Sequence, residues 1–153
     1  MKIGIIGAGS VGGTLGKQWA SHGHEVRFGV RDPQAGKVQA LVREIGPRAG
    51  ASGVREAAAF GDVVVLAVPW DAVPAALQEA GSLHGKVLID CTNPVTMGPD
   101  LLKHGLLVGH TTSAGEEVAR LAPRARVVKA LNTVGAGIMA RPRYGDRKAV
   151  MFY

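Results

Sequence analysis

Short apolar runs alternate with longer amphipathic segments along the whole chain of 153 residues. Residues 63–68 form an uninterrupted apolar run, which is typical of a central parallel strand that is covered on both faces. Residues 25–30 alternate between polar and apolar, as a strand with one buried face does. The pattern predicts strands at residues 2–7, 25–30, 48–51, 63–68, 86–90 and 126–130, with strand composition also at 106–108 and 148–153.

Helical patterns fill the intervals between these strands. Pro33 is predicted in the first turn of the second helix, Ser52 and Asp71 as N-caps, and Ser113 or Thr112 as a further cap. The predicted helices cover residues 11–21, 33–45, 52–59, 71–80 and 113–121, with a short helix that ends at residue 140. Strands that alternate with helices over short connections predict a doubly wound α/β (Rossmann) fold with a mostly parallel sheet in a single domain, residues 1–153.

The first turn of this pattern carries three glycines, Gly7, Gly9 and Gly12, between the first strand and the first helix. This spacing is the G-x-G-x-x-G fingerprint of dinucleotide-binding sites, in the strand–turn–helix context that such a site needs. Gly7 would allow the tight turn, Gly9 lacks the Cβ that would block a pyrophosphate, and Gly12 would let the helix pack closely on the sheet. The sequence therefore predicts that phosphates bind at the N-terminus of the first helix.

The second strand ends at Arg31, where an NAD-specific site usually has an acidic residue and an NADP site has an arginine. Arg31 can hold a phosphate through two parallel hydrogen bonds, and Lys37 could add charge one helical turn further on. Asp32 opposes this interpretation because its carboxylate would repel a 2′-phosphate. We predict NADP(H), and the alternative is a surface arginine paired with Asp32.

The remaining strands end in residues that would reach the middle of the cofactor and its nicotinamide. Val68 and Pro69 follow the fourth strand, Asn93 follows the fifth, and Asn132 and Thr133 follow the sixth. The Asn93 amide could bond the nicotinamide ribose or the carboxamide. Alternatively, it could form an Asn-Pro turn with bonds of its own.

No side chain of this sequence is predicted to be a catalytic residue or a metal ligand. The sequence has no H-x-x-x-H or C-x-x-C spacing, and Cys91 is expected to be a buried, inert thiol. Trp70 either lines the cofactor pocket or packs in the core. Surface positions in turns are predicted for His22, His24, His84 and His104.

The net charge of +6 is concentrated near the C-terminus, where eight Lys and Arg residues and one acid, Asp146, follow residue 118. Nucleic acid is not expected as a partner, because only Tyr144 interleaves these charges. Arg141, Arg143 and Arg147 are either a rim that steers an anionic small molecule or a solvated surface. No apolar run approaches the ~20 residues that span a bilayer. One cysteine suits a reducing compartment, so we expect no membrane partner and a cytoplasmic location.

Four segments of the sequence together resemble one family: MKIGIIGAGSVG, GHEV followed by GVRDP, VVVLAVPW, and VVKALNTV. They are similar to the F420-dependent NADP oxidoreductases, a family that itself resembles the reductase domain of the STEAP metalloreductases. The resemblance implies a Rossmann domain that transfers a hydride between NADP(H) and coenzyme F420 or a flavin (FMN or FAD). The alternative is a dinucleotide-binding module without turnover.

The resemblance also implies roles for individual residues. The pyrophosphate would be held by Gly7, Gly9, Ser10 and Val11, and the 2′-phosphate by Arg31 with Lys37. Pro69 and the turn at Asn132 and Thr133 would border the nicotinamide and the second cofactor.

Two departures from the family pattern qualify this resemblance. Val30 stands where the family commonly has a serine, which removes one phosphate donor. The chain also ends inside an apolar stretch, without the helical C-terminal end of the family. Because an exposed apolar strand invites pairing, we expect either a fragment or an obligate association, with a homodimer as the expected assembly.

Overall fold

The computed structural model is built around a six-stranded sheet and describes residues 1–95, 105, 107–109 and 111–151. Its strands follow the order β3-β2-β1-β4-β5-β6, and all neighbouring pairs are parallel. These six strands are β1 (Lys2–Ile6), β2 (Glu25–Gly29), β3 (Ala49–Ser52), β4 (Val63–Leu66), β5 (Val87–Asp90) and β6 (Arg126–Lys129). A separate antiparallel hairpin pairs β7 (Arg143–Tyr144) with β8 (Arg147–Lys148).

The connections between the strands are helical, as the alternating pattern predicts. The helices are α1 (Ser10–Ser21), α2 (Gly36–Ile45), α3 (Val54–Phe60), α4 (Val73–Ala80), α5 (Ala114–Leu121) and α6 (Ala136–Ala140), with a 3₁₀ turn at Trp70–Ala72. The order of the strands reverses between β1 and β4, which makes their carboxyl ends the switch point where doubly wound sheets bind ligands. The predicted Rossmann fold is confirmed.

Two apolar clusters cover the two faces of the sheet. One joins Leu66 and Leu88 of the sheet to Leu77 of α4 and Val118 of α5. The other joins residues of β1, β2 and β4 to α1, where Gly16 lies against the ring of Phe28 at a distance that leaves no room for a Cβ. Burial on both faces explains why β4 and residues 3–6 of β1 read as apolar runs. None of the helices among the described residues is long and apolar enough to cross a membrane.

One predicted helix start and two predicted N-caps are wrong. Pro33 lies in a turn and α2 begins only at Gly36, because the backbone carbonyl of Asp32 accepts the Ala35 N–H at 3.2 Å. The residue Ser52 belongs to β3, and Gly53 is the N-cap of α3. Asp71 lies within the 3₁₀ turn, and the N-cap of α4 is Ala72, one residue later than predicted.

The predicted strands at 63–68 and 148–153 also differ from the structure. The fourth strand ends at Leu66, two residues before the predicted end at Val68. Beyond Leu66, its pairing with β1 continues through one hydrogen bond, from the Ala67 N–H to the Ile6 carbonyl. Only Lys148 of the terminal segment is in a strand, and residues 152–153 lie outside the described part. Of the short strand predicted at 106–108, residue 106 is outside the described part and the other two form a bend. The capping box of Ser113 with Glu116 at α5 confirms the predicted cap.

Candidate functional site

The three fingerprint glycines lie at the switch point, and each meets a different requirement. Gly7 has a φ of 106°, which favours glycine, and its N–H donates to the Gly29 carbonyl at 2.9 Å. A Cβ on Gly12 would collide with the carbonyl oxygen of Gly7. A Cβ on Gly9 would meet no heavy atom of the described residues within 4 Å. Gly9 alone of the three therefore faces open space, on the side where a ligand would approach α1.

The N-terminus of α1 presents backbone donors toward this space. Gly9 is the N-cap, and the first helical hydrogen bond runs from the Gly13 N–H to the Gly9 carbonyl at 2.8 Å. Ser10, Val11 and Gly12 precede that bond, and no side chain of the described residues caps the helix. Free amides at the positive end of a helix dipole suit an anion such as a phosphate. The local arrangement therefore fits a pyrophosphate.

Arg31 and Lys37 are both exposed, one just beyond the carboxyl end of β2 and the other in the first turn of α2. Within residues 1–95 and 111–151, neither takes part in an ion pair. Asp32 turns its carboxylate toward its own chain, where Oδ1 accepts the Gln34 N–H at 2.9 Å. The described residues therefore do not form the alternative Arg31–Asp32 pair.

The segment after β4 divides into two parts. Val68 is half-buried and packs against the apolar cluster that contains Leu66 and Leu77. Pro69 is exposed. Trp70 packs against the same cluster and lines a groove of about 320 Å³ between α4 and α5. Its other lining residues, among them Pro74 and Leu121, include no predicted site residue. Trp70 thus belongs to packing on the α4–α5 side of the sheet.

Asn93 and Asn132 meet at the carboxyl ends of β5 and β6. The Asn93 amide Nδ2 donates to the backbone carbonyl of Asn132 at 3.0 Å, and the Asn132 Nδ2 donates to the Asn93 Oδ1 at 3.3 Å. Each amide still has a second N–H, and the Asn132 Oδ1 carries no hydrogen bond from the described residues. The pair therefore offers both donors and an acceptor at this edge.

Asp90 and Lys129, the last residues of β5 and β6, form a buried ion pair that was not predicted from the sequence. The Lys129 Nζ is 2.9 Å from Oδ2 of Asp90, whose side chain is fully buried. Thr92 completes the group, because its N–H and its hydroxyl donate to the Asp90 Oδ1 at 2.8 and 2.7 Å. The signal was present in the sequence: a charged residue ends each of two apolar strands, Val87–Asp90 and Arg126–Lys129.

An apolar groove of about 220 Å³ lies beside α1, lined by Leu15, Leu131 and Met151 among others. Leu131 has a φ of 68°, which is unusual for a residue other than glycine and which marks the turn after β6. Thr133 is exposed at this turn, and its hydroxyl lies 3.6 Å from the Met151 sulfur. The Ala140 carbonyl accepts a hydrogen bond from the Gln18 side chain in the third turn of α1. Arg141, the next residue, is therefore about two turns of α1 away from the N-terminus of that helix, where the phosphates are predicted to bind.

No acid–base or nucleophilic group stands out among the described residues of this edge. Burial and then the neighbouring Asp90 carboxylate raise the pKa of the Cys91 thiol from 9.0 to about 12, against the opposing effect of Lys129. This thiol therefore stays protonated at neutral pH and is a poor nucleophile. Among residues 1–95 and 111–151, no group of three His, Cys, Asp or Glu side chains could hold a metal ion.

Comparison with known proteins gives consistent matches. A family model described as NADP oxidoreductase coenzyme F420-dependent matches residues 2–94, which hold β1 to β5 with Arg31 and Asn93. The chain is 36% identical to the F420-dependent NADP reductase of Methanothermobacter thermautotrophicus, over 91% of this chain and 64% of that protein. It is 31% identical to the metalloreductase STEAP3 of Rattus norvegicus, over 98% of this chain and 28% of that protein.

A solved structure agrees with these matches. It is assigned as an F420-dependent NADP reductase from Arthrobacter sp. FB24 and is 35% identical to this chain, with a TM-score of 0.81. The alignment covers 93% of this chain and 67% of that one. The chain therefore spans less than two thirds of the two curated relatives and about two thirds of this structure.

Proposed function

The chain belongs to the coenzyme F420-dependent NADP oxidoreductase family, and we propose on this premise that it binds NADP(H) and transfers a hydride between the nicotinamide and F420 or a flavin. The observation that carries the proposal is the open space above Gly9. A Cβ there would meet no described atom within 4 Å, whereas a Cβ on Gly7 or Gly12 would collide with backbone. What distinguishes Gly9 from other exposed glycines is its position as the N-cap of α1, where the uncapped amides of Ser10, Val11 and Gly12 border this space.

Arg31 supports NADP(H) over NAD(H). It is exposed at the end of β2, and the nearest carboxylate in sequence, Asp32, is held by the Gln34 N–H. Asp32 therefore does not compete for the guanidinium, which can bond a 2′-phosphate strongly enough to offset the repulsion from this carboxylate. Lys37, in the first turn of α2, adds a second positive charge on this side. Val30 contributes no hydroxyl, so Arg31 carries most of the recognition.

The proposed assignment of the remaining residues follows the edge of the sheet. The amides of Ser10, Val11 and Gly12 would hold the pyrophosphate, and Val68 with Pro69 would lie along the middle of the cofactor. Asn93 and Asn132 would hold the nicotinamide end, with Thr133 beside them. The nicotinamide supplies the hydride chemistry when it is bound, and the protein's part is to orient it toward F420, FMN or FAD.

The test is to mix the protein with NADPH and, in separate reactions, with F420, FMN or FAD, and to follow the absorbance of both partners. We expect NADPH oxidation matched mole for mole by reduction of one acceptor. Tight NADPH binding without turnover on any of the three would instead indicate the alternative, a dinucleotide-binding module. Absence of NADPH binding would overturn both.

The expected homodimer belongs to the same proposal. Leu121 at the end of α5 is 46% exposed and Val128 on the edge strand β6 is 38% exposed, which supports a covered surface on this side. Sedimentation equilibrium of the protein with and without NADPH would measure the assembly. A single species of 15.9 kDa under both conditions would contradict the dimer.

A further inference from the structure

The last residues of β5 and β6 form a charged pair across the sheet. Asp90 and Lys129 are partners in the parallel register, and the next residue, Ala130, makes a backbone bond from its N–H to the Asp90 carbonyl at 3.1 Å. The Asp90 side chain is fully buried, and that of Lys129 is 26% exposed. A buried pair of this kind is costly to desolvate and contributes little net stability. Stability alone is therefore a weak reason for its presence.

The ammonium group of Lys129 has no donor left for a substrate. Its three hydrogens point to three acceptors, which are the Asp90 Oδ2, the Thr92 carbonyl and, at 3.3 Å, the Thr92 hydroxyl oxygen. Asp90 is equally occupied, since its other oxygen accepts both the N–H and the hydroxyl of Thr92. A group with every bond satisfied inside the protein is suited to hold geometry and unsuited to transfer a proton.

The geometry that it holds is that of the two asparagines. Thr92 directly precedes Asn93, and Lys129 lies three residues before Asn132. Lys129 thus ties the loop after β5 to the end of β6 one residue below the point where Asn93 and Asn132 bond each other. Between Lys129 and Asn132, Leu131 has a left-handed φ of 68°. The clamp, defined here as Asp90, Thr92 and Lys129, and the asparagine pair together join two loops that come from distant parts of the chain.

We propose that Lys129 is a positioning residue for the nicotinamide end of the cofactor. Through the clamp it holds Asn93 and Asn132 at a fixed separation, so that their free amide groups meet the nicotinamide ribose and carboxamide. The inference rests on the proposed function, because it assumes that NADP(H) binds along this edge. It goes further because it makes binding of the nicotinamide end depend on Lys129, a side chain that acts through Asn93 and Asn132 without touching the ligand.

The test compares two ligands that differ only at that end. NADPH carries the nicotinamide, whereas 2′-phospho-ADP-ribose has the same phosphates, adenine and riboses without it. Isothermal titration calorimetry gives a Kd for each. Removing Lys129 alone would leave Asp90 buried and unpaired, which endangers folding. The main variant is therefore Asp90→Asn with Lys129→Met, in which no buried charge remains and the introduced amide oxygen can still accept bonds from Thr92.

The control variant is Lys86→Met. Lys86 also donates three hydrogen bonds from its Nζ, to the carbonyls of Ala58, Ala59 and Gly61, at 2.8, 2.9 and 2.7 Å. It directly precedes β5, so these bonds lie at the opposite end of the strand from the site. A general loss of stability should appear in this variant too, whereas a loss specific to the nicotinamide should not.

In the double variant, we expect the Kd of NADPH to rise about tenfold, the equivalent of one or two misplaced hydrogen bonds. The Kd of 2′-phospho-ADP-ribose should change less than ~2-fold, since the phosphate contacts are untouched. Equal weakening of both ligands, or no change in either, would overturn the positioning role while leaving NADP(H) binding intact. Failure of the unmodified protein to bind either ligand would instead overturn the proposed function, and this inference with it.

Discussion

The carbonyl oxygen of Gly7 lies where the Cβ of any larger residue at position 12 would have to sit. The turn out of β1 and the first turn of α1 therefore touch each other directly, with no side chain between them. This close approach requires a glycine at position 12. Gly9, between these two glycines in the sequence, makes no such contact. The fingerprint thus combines two glycines that the backbone packing requires with one that we propose serves a ligand.

Replacing these glycines should separate folding from binding. We expect Gly9→Val to abolish NADPH binding with little loss of stability, because the added side chain enters the pyrophosphate's space and its Cβ has no described atom within 4 Å. Gly12→Val should instead destabilise the fold by about 1–3 kcal/mol or more, as overpacking does. Urea unfolding and calorimetric titration of both variants check this. If NADPH still raises the melting temperature of Gly9→Val, the loop is not the phosphate site.

Arg31 should decide the preference between the two nicotinamide cofactors. We expect the unmodified protein to bind NADPH more tightly than NADH. Arg31→Ala should lose about 1.5–3 kcal/mol of NADPH affinity, the range for hydrogen bonds to a charged group, and little NADH affinity. Arg48→Ala is a matched control, since Arg48 is exposed and directly precedes β3, at the opposite end of the sheet from the site. Its guanidinium donates to the Gly23 carbonyl. Equal dissociation constants for NADPH and NADH in the unmodified protein would contradict the assignment.

Lys86 should contribute to stability in a way that a surface lysine does not. Its three bonds to carbonyls at the end of α3 satisfy acceptors that the helix itself leaves open. We expect Lys86→Met to lower the free energy of unfolding by about 1.5–3 kcal/mol. Lys17→Met removes only an exposed ion pair with Glu44, which should cost below ~1 kcal/mol. Denaturant titration of both variants measures the difference, and equal losses would argue against the capping role.

Cys91 should make stability fall at alkaline pH. Its pKa is raised in the folded protein from 9.0 to about 12, so the fold favours the protonated thiol. The corresponding stabilisation is fully present below pH 9 and is lost as the pH rises from 9 toward 12. Unfolding free energies measured across this range should fall more steeply for the unmodified protein than for Cys91→Ala. Parallel curves for the two proteins would show that the thiol is not perturbed.

Local sequence patterns were enough to predict the fold class and the place of the glycine-rich turn between β1 and α1. Strands that are buried on both faces read as apolar runs, and the fingerprint glycines follow directly after one of them. The cap at Ser113 was equally readable, because the capping box joins residues only three apart. Arg31 could be placed at the end of a strand for the same reason, since only a short stretch of chain separates it from the glycines.

Which side chains meet at the carboxyl edge depends instead on how distant strands pair. Asn93 and Asn132 are 39 residues apart, as are Asp90 and Lys129, and their contact depends on β5 and β6 being neighbours in a fixed register. A single sequence carries no signal for that register, because each apolar strand would accept several pairings. The turn at Asp32 is held by hydrogen bonds from the Gln34 and Ala35 N–H groups to Asp32, which compete with helix formation. For this reason α2 begins at Gly36 and not, as predicted, at Pro33.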